Sequence, residues 1–473
     1  MKRFDTKVQD LKYKVLTKVA RNAWEGNIID GALAIPGEIL PGKTPTMRCC
    51  VYKERAILSE RVKHAMAEKG KRDNVIEVID IACDDCPAGG FTVTDACRGC
   101  IAHGCAEACP FDAISFDSNQ RAYIDKSKCV NCGKCSVGCP YSAITNRRRP
   151  CEEACKIKAI SESKMGHAEI DRDKCTSCGA CVYKCPFGAI TDTSYILETI
   201  NIIKGSESGK KYKTYAVIAP AIASQFTYVS LGQLISGIRE LGFDFVVEAA
   251  RGADFVAHEE SGELIEKGFL ISSCCPAFVT LVEKRFPELR GSISKNLSPM
   301  ATISKKIKEN DAEARVVFIG PCTAKKKEIK RPEVSPYVDS AISFEELLAL
   351  FDSRDIDLEN LPETKLDEAS YFGRIFARCG GLAEAIQAGI RERGSDFEVK
   401  SHVCDGLDAC HKALLLASRG KLGANFIEGM ACPGGCIGGA GILRHGDKNR
   451  AAIDKYGKEA GFKTISDSVA EKL

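Results

Sequence analysis

The sequence predicts a mainly helical segment over residues 1–80 and a small α+β region built around cysteines over 81–203. A larger α/β region, with parallel sheets flanked by helices, is predicted over 214–473. Three observations carry this division. Sixteen of the 26 cysteines fall between Cys83 and Cys185. A polar, glycine-bearing stretch at 204–213 marks a linker, where the composition changes. Beyond it, strand-like runs at 215–219, 243–247 and 315–319 alternate with amphipathic helical ones such as 231–241, the pattern of a parallel α/β fold.

At 473 residues the chain has room for more than one core. Its net charge of +3 gives no argument for nucleic acid or an acidic membrane surface. Residues 1–25 lack an apolar leader, and no run of 18 apolar residues occurs. No membrane and no nucleic-acid partner are therefore expected. The short C-x2-C spacings suit metal better than disulfides, so the expected location is cytoplasmic, reducing and poor in oxygen.

Helices are expected over 4–24 and 57–69, with a Pro/Gly-rich loop at 35–46 between them. Cys49 and Cys50 are adjacent, and adjacent cysteines rarely serve one cluster, so a structural or reactive-thiol role is expected. Residues 75–81 alternate as a strand does.

The cysteine region repeats itself. Cys129, Cys132, Cys135 and Cys139 form the run C-x2-C-x2-C-x3-C-P, and so do Cys175, Cys178, Cys181 and Cys185. Cys97, Cys100, Cys105 and Cys109 follow it with two extra residues. In two-cluster ferredoxins the fourth cysteine of such a run serves the other cluster. The segments that follow (Pro-Phe-Asp-Ala-Ile, Pro-Tyr-Ser-Ala-Ile, Lys-Ile-Lys-Ala-Ile and Pro-Phe-Gly-Ala-Ile) repeat too, so two ferredoxin-like units are expected. Cys83, Cys86, Cys151 and Cys155 then read as one run split by the insertion of 97–139. The nesting resembles four-cluster electron-transfer subunits. Four [4Fe–4S] clusters follow, on Cys97/Cys100/Cys105/Cys139, Cys129/Cys132/Cys135/Cys109, Cys83/Cys86/Cys151/Cys185 and Cys175/Cys178/Cys181/Cys155. Zinc on the paired sites is the alternative, and three clusters remain if the split set binds nothing. His103 reads as a loop residue.

Three further segments carry chemistry: Ser272-Ser-Cys-Cys-Pro276, Gly320-Pro-Cys-Thr-Ala-Lys-Lys-Lys-Glu328 and Glu428-Gly-Met-Ala-Cys-Pro-Gly-Gly-Cys-Ile-Gly-Gly-Ala-Gly441. Each alone fits a buried cysteine site, because free cysteine packs as a small hydrophobe. In this order they resemble the three signature motifs of [FeFe] hydrogenases. With Met47-Arg-Cys-Cys-Val-Tyr-Lys-Glu-Arg55, the chain is similar to the group B branch of the monomeric enzymes.

The resemblance implies an H-cluster, a [4Fe–4S] cubane plus a dinuclear iron unit with CO, cyanide and a dithiolate amine. Its cubane would be held by Cys275, Cys322, Cys432 and Cys436, with Cys436 shared. Lys325 would donate to a cyanide, Met430 and Met300 would line the dinuclear unit, and Ala219 with Pro220 would close over it. Lys326 and Lys327 read as a solvated face. Cys274 is implied as the proton donor, with Glu260 and Glu263 on the proton path, Glu328 between them and Ser294 as a further member. The family's serine, methionine, glutamine and tryptophan are replaced here by Ala221, Gly320, Met300 and Phe278, so the surroundings of the site differ while its ligands do not.

The implied function is reversible conversion of protons and electrons to H2, with electrons exchanged with ferredoxin or a similar carrier. Maturation proteins that insert the dinuclear unit are implied partners. The competing classes are a hydrogen sensor on the same cofactor, a non-catalytic iron–sulfur assembly factor and a plain electron-transfer protein.

Overall fold

A computed structural model describes residues 3–66, 74–86 and 89–471. Helix α1 (Lys7–Glu25) starts at a Thr6–Gln9 capping box. Helix α2 (Ile28–Ile39) runs into the stretch expected to be a loop. Pro36 lies in its last turn, where it cannot donate to the Ala32 carbonyl, and the helix ends three residues later; Ile35 is fully buried. Helix α3 (Val51–Ala65) begins earlier than its apolar pattern suggests because Cys50 caps it, Sγ accepting from the Lys53 amide at 3.4 Å. Residues 67–69 of that expected helix lie outside the described residues. The strand expected over 75–81 is shortened to β1 (Ile76–Val78), and a 3-10 turn, Asp80–Ala82, leads to Cys83.

The cysteine region is two nested units of antiparallel hairpins. β1 pairs with β2 (Ile190–Asp192) around the whole region. Gly90–Val93 pairs with Ile144–Arg147 inside it. Asp112, Ser142, Lys158 and Gly188 each lie three residues after a fourth cysteine, and all four have left-handed backbone. Three of the fourth cysteines, Cys139, Cys155 and Cys185, accept an amide hydrogen bond from the alanine four residues on, at 3.4, 3.1 and 3.2 Å. The split run thus shares the local backbone of the unbroken ones.

Beyond it, β3 (Thr214–Ile218), β4 (Phe245–Glu248), β6 (Arg315–Ile319) and β7 (Ser340–Ile342) form a parallel sheet in the order β4-β3-β6-β7. A second parallel sheet has the order β5-β9-β8, from β5 (Leu270–Ile271), β8 (Ser401–Asp405) and β9 (Phe426–Met430). Among the flanking helices are α4 (Ala249–Lys267), α5 (Pro276–Arg285), α6 (Thr323–Glu328), α7 (Phe344–Ser353) and α8 (Gly381–Glu392). Among the described residues no helix is long and apolar enough to cross a membrane.

The N-terminal helices are part of this core. Leu16, Val19 and Ala20 of α1 belong to one apolar cluster with Leu347, Leu348 and Phe351 of α7. Beside it lies a buried ionic network. Lys12 pairs with Asp192 at 2.6 Å and Glu345 at 2.7 Å, and Lys326 pairs with Asp192 and Glu346, each at 2.7 Å. Lys326 is therefore not on a solvated face; its side chain is 2% exposed. The network fastens α1, the end of the cysteine region and α6. Lys326→Met leaves buried Glu346 without a cation and Asp192 with Lys12 alone, and denaturant unfolding is expected to show a loss of about 3–5 kcal/mol. Lys327→Met, at its half-buried neighbour, is expected to change stability by about 0.5 kcal/mol or less.

Candidate active site

The carboxyl ends of both sheets open on one apolar cavity, as parallel α/β folds dispose their ligand sites. Ala219 and Pro220 continue β3, Cys274 and Cys275 follow β5, Cys322 follows β6, and Met430 ends β9 just before Cys432. All of them line the cavity, together with Met300 and Cys436. Burial, then mutual repulsion, pushes the Cys322 thiol up to about 11 and Cys436 up to about 12, the latter also through Cys322 and Cys275. Burial also raises Cys432 well above its ordinary value, with Cys322, Cys275, Cys178 and Cys436 as its neighbours. Gly435 has φ +92°, and a Cβ there would lie 2.6 Å from the Cys379 amide nitrogen, so only glycine lets the chain turn from Cys432 to Cys436.

Lys325 brings a cation into this apolar space. It is 8% exposed; its Nζ lies 2.7 Å from Glu328 and 3.5 Å from the Cys274 carbonyl. Burial works against its charge, and Glu328 more than offsets that, so its pKa is raised. A buried ammonium aimed at a cavity walled by thiols suits anionic ligands.

A line of polar groups leaves the cavity behind Cys274. Glu260, on α4, is the first electrostatic neighbour of the Cys274 thiol and is wholly buried. One oxygen accepts from the Ser273 amide at 3.3 Å and hydroxyl at 3.1 Å, while the other has no hydrogen-bond partner among the described residues and Ser294 lies nearby. Ser294 donates to Glu263 at 2.8 Å, and Lys267 holds Glu263 at 2.6 Å near the surface. Glu328 pairs with Lys325 and lines the outer cleft with Ser273 and Ser294. Burial raises Glu260 to about 7; Glu263, despite partial burial, is held below its ordinary value by Lys267 and Ser294.

Glu260 has a consequence for pH. Below about 4.5 its carboxyl is neutral in folded and unfolded chain alike, and between about 4.5 and 7 only the unfolded chain ionises. Its contribution to stability therefore falls as pH rises through that window and levels off above it. Infrared difference spectra are expected to show a buried carboxylic acid band lost through about pH 7, absent in Glu260→Gln.

The remaining cysteines gather in four sets. Burial raises Cys151 to about 12, with Cys185 and Cys83 next to it, while Cys86 has Cys83 and Cys185 as neighbours. Cys178, raised by burial to about 12, has Cys175 and Cys155 beside it, and Cys181 faces all three. Cys105 neighbours Cys139 and Cys100, with Cys97 in the same cluster. Cys109, Cys129, Cys132 and Cys135 ring one cavity. Each set draws its fourth member from another run. Among the described residues no three such side chains converge on a single ion. A cluster gives each thiolate its own iron, so its ligands stand further apart.

Two features escape the motif reading. Glu428, in the middle of β9, is fully buried, accepts from the Gly380 and Ala383 amides at 2.7 and 2.8 Å, and is raised by burial to about 7. Its signal was a charge inside an apolar strand. Phe278 packs where a Cβ on Gly429 would lie 2.2 Å from its ring. His103 stacks on Phe116 at 3.7 Å, a structural role.

Residues 212–440 match the family described as the iron only hydrogenase large subunit, C-terminal domain. Residues 96–143 match a 4Fe-4S dicluster domain and 168–191 a 4Fe-4S binding domain. The NADP-reducing hydrogenase subunit HndD of Solidesulfovibrio fructosivorans is 30% identical over 292 residues, which cover 49% of this chain and 49% of that protein. The chain thus spans about half the length of that relative. The periplasmic [Fe] hydrogenase large subunit of Nitratidesulfovibrio vulgaris is 28% identical over 386 residues, 67% of this chain and 85% of its own. The cytosolic Fe-S cluster assembly factor NAR1 of Botryotinia fuckeliana is 32% identical over 140 residues, 25% of this chain and 24% of its own. Residues 212–440 thus match the C-terminal domain of the iron-only hydrogenase large subunit, with ferredoxin-type 4Fe–4S segments before them.

Proposed function

We propose that this chain is an [FeFe] hydrogenase that interconverts protons, electrons and H2, exchanging electrons with a ferredoxin or similar small carrier. The observation that carries this reading is the meeting, in one apolar cavity, of four mutually adjacent thiols, a buried lysine and a thiol backed by a line of proton-bearing groups. The cavity fits the implied cofactor: sulfur ligands on one side, a cation for anionic ligands on another, and carbon elsewhere. Cys275, Cys322, Cys432 and Cys436 would hold its cubane, Cys436 would be shared with the dinuclear unit, and Met300, Met430, Ala219 and Pro220 would enclose that unit. When bound, the group supplies the metal chemistry that joins protons and electrons, which no side chain offers.

The chain's own part is protonic and electrostatic. The Cys274 thiol holds a proton at the cavity and is resupplied through Glu260, Ser294 and Glu263. Lys325 orients anionic ligands. The order of cysteine sets supports an electron path inward, because Cys178 is a neighbour of Cys432 and Cys151 of Cys181. The proposed organisation keeps an N-terminal segment over 1–80, a cluster domain over 81–203 and a catalytic domain over 214–473. Maturation proteins would supply the dinuclear unit in the cytoplasm.

The relationship to assembly factors favours a second reading, a non-catalytic iron–sulfur protein. One experiment separates them. Chain produced without oxygen alongside the maturation proteins is expected to hold about 22 irons, to show infrared bands of metal-bound CO and cyanide, and to evolve H2. Clusters without those bands would leave the assembly-factor reading standing.

A further inference from the structure

The two nested units, the enclosing one that packs on the catalytic region (inner) and the inserted one over 97–139 (outer), present the same loop to different surroundings. Cys129-Val-Asn-Cys132-Gly133 corresponds to Cys175-Thr-Ser-Cys178-Gly179. The backbones agree: Asn131 and Ser177 have φ +56° and +59°, and Gly133 and Gly179 have +81° and +80°. In the inner unit the loop is sealed against the catalytic region. Thr176 and Ser177 are 2% and 5% exposed, Thr323 donates to the Ser177 carbonyl at 2.8 Å, and a Cβ on Gly179 would lie 2.5 Å from Ala440. Through this contact Cys178 reaches the neighbourhood of Cys432. In the outer unit the same loop is open: Val130 is 56% exposed and Cys132 is exposed.

The charges differ as well. Around the outer loop Arg121, Lys126, Lys128 and Lys134 are exposed and stand against Asp125, with Asp112 on the loop after Cys109. The matching inner stretch carries Glu169, Asp171 and Asp173 against Arg172 and Lys174. Over 95–134 the excess of cations is confined to 121–134, since Asp95, Glu107, Asp112 and Asp117 balance it over the stretch that precedes the loop.

We infer that the outer loop, Val130 and Cys132 framed by Lys128 and Lys134, is the docking surface for a small acidic iron–sulfur electron carrier. The inner loop hands electrons to the catalytic region through a packed contact, and the outer loop makes the equivalent contact with the partner. The apolar Val130 supplies the centre of the contact, and the lysines steer an acidic surface onto it. This deepens the proposed function, since it rests on the cysteine sets binding clusters.

The test is binding of an oxidised acidic [4Fe–4S] ferredoxin to the iron-loaded full chain, titrated at low and high salt. Reduction of the chain's clusters by the reduced ferredoxin is followed in parallel. Lys128→Glu/Lys134→Glu is expected to weaken binding and slow cluster reduction at least about tenfold at low salt and to flatten the salt dependence. Lys128→Arg/Lys134→Arg is expected to stay within about twofold, because the charge is kept. Val130→Ser is expected to weaken binding about threefold at every salt concentration. Lys156→Glu/Lys184→Glu alters the cleft beside Cys178 and Cys432 and is expected to change nothing. Unchanged binding in Lys128→Glu/Lys134→Glu, loss confined to Lys156→Glu/Lys184→Glu, or no binding by the unaltered chain would each overturn the docking site. Absence of H2 with site-dependent cluster reduction intact would sink the hydrogenase reading and leave the docking surface standing.

Discussion

Replacing Cys274 with alanine is expected to abolish hydrogen evolution while iron content and the CO and cyanide bands stay at their unaltered levels. The thiol lines the cavity but stands outside the four mutually adjacent sulfurs, and its first electrostatic neighbour is Glu260 rather than another cysteine. Losing a positioned proton donor costs about 10²- to 10⁴-fold in rate. Serine keeps the size but not the acidity, so Cys274→Ser is expected to fail nearly as badly, and Cys274→Asp to recover part of the rate. Cys410 provides the contrast. It is buried, its thiol points to the Met430 carbonyl at 3.6 Å, and it belongs to an apolar cluster with Cys404. Cys410→Ala is expected to leave turnover within a few fold. Hydrogen evolution and infrared spectra from the same Cys274→Ala sample decide the matter: bands present with near-normal rates would reject the relay role.

What was legible in the sequence was whatever the chemistry ties to short spacing. The cluster runs show because successive thiolates must reach neighbouring irons, and the repeat of left-handed residues after each fourth cysteine follows from the same geometry. The alternation beyond residue 214 gave the parallel sheets because strands buried on both faces read as short apolar runs. Contacts between distant segments left no such mark. Lys12, Asp192, Lys326 and Glu346 meet from four separate stretches, and each alone resembles a surface charge. The 1–80 segment likewise reads as independent helices, although α1 shares a core with α7. Removing residues 1–209 would therefore expose that core as well as remove the relay. The proton line shows the same limit: the resemblance pointed to Glu260, Glu263, Ser294 and Glu328, but only packing shows Ser294 donating to Glu263 while Glu328 turns to Lys325.

That pairing sets the second large effect. Lys325→Met keeps most of the side-chain volume and removes the charge, and is expected to leave the cubane iron in place while the CO and cyanide bands fall to about a tenth or less. A charge-assisted hydrogen bond to an anion contributes about 1.5–3 kcal/mol, and an anionic ligand left without it in an apolar cavity loses at least that much. A competing cause lies beside it, because Lys325→Met also strands Glu328, whose side chain is 7% exposed. The double variant Lys325→Met/Glu328→Gln separates the two. If the stranded carboxylate were responsible, neutralising it would bring the bands back. If the cation itself secures the dinuclear unit, the double variant stays as empty of CO and cyanide as the single one. Lys325→Arg keeps the charge but sets a wider, planar head where the ammonium fits between Glu328 and the Cys274 carbonyl, and is expected to restore the bands only in part. Bands at the unaltered level in Lys325→Met would show that the cavity holds the unit by shape and sulfur alone, and would remove the buried lysine from the site.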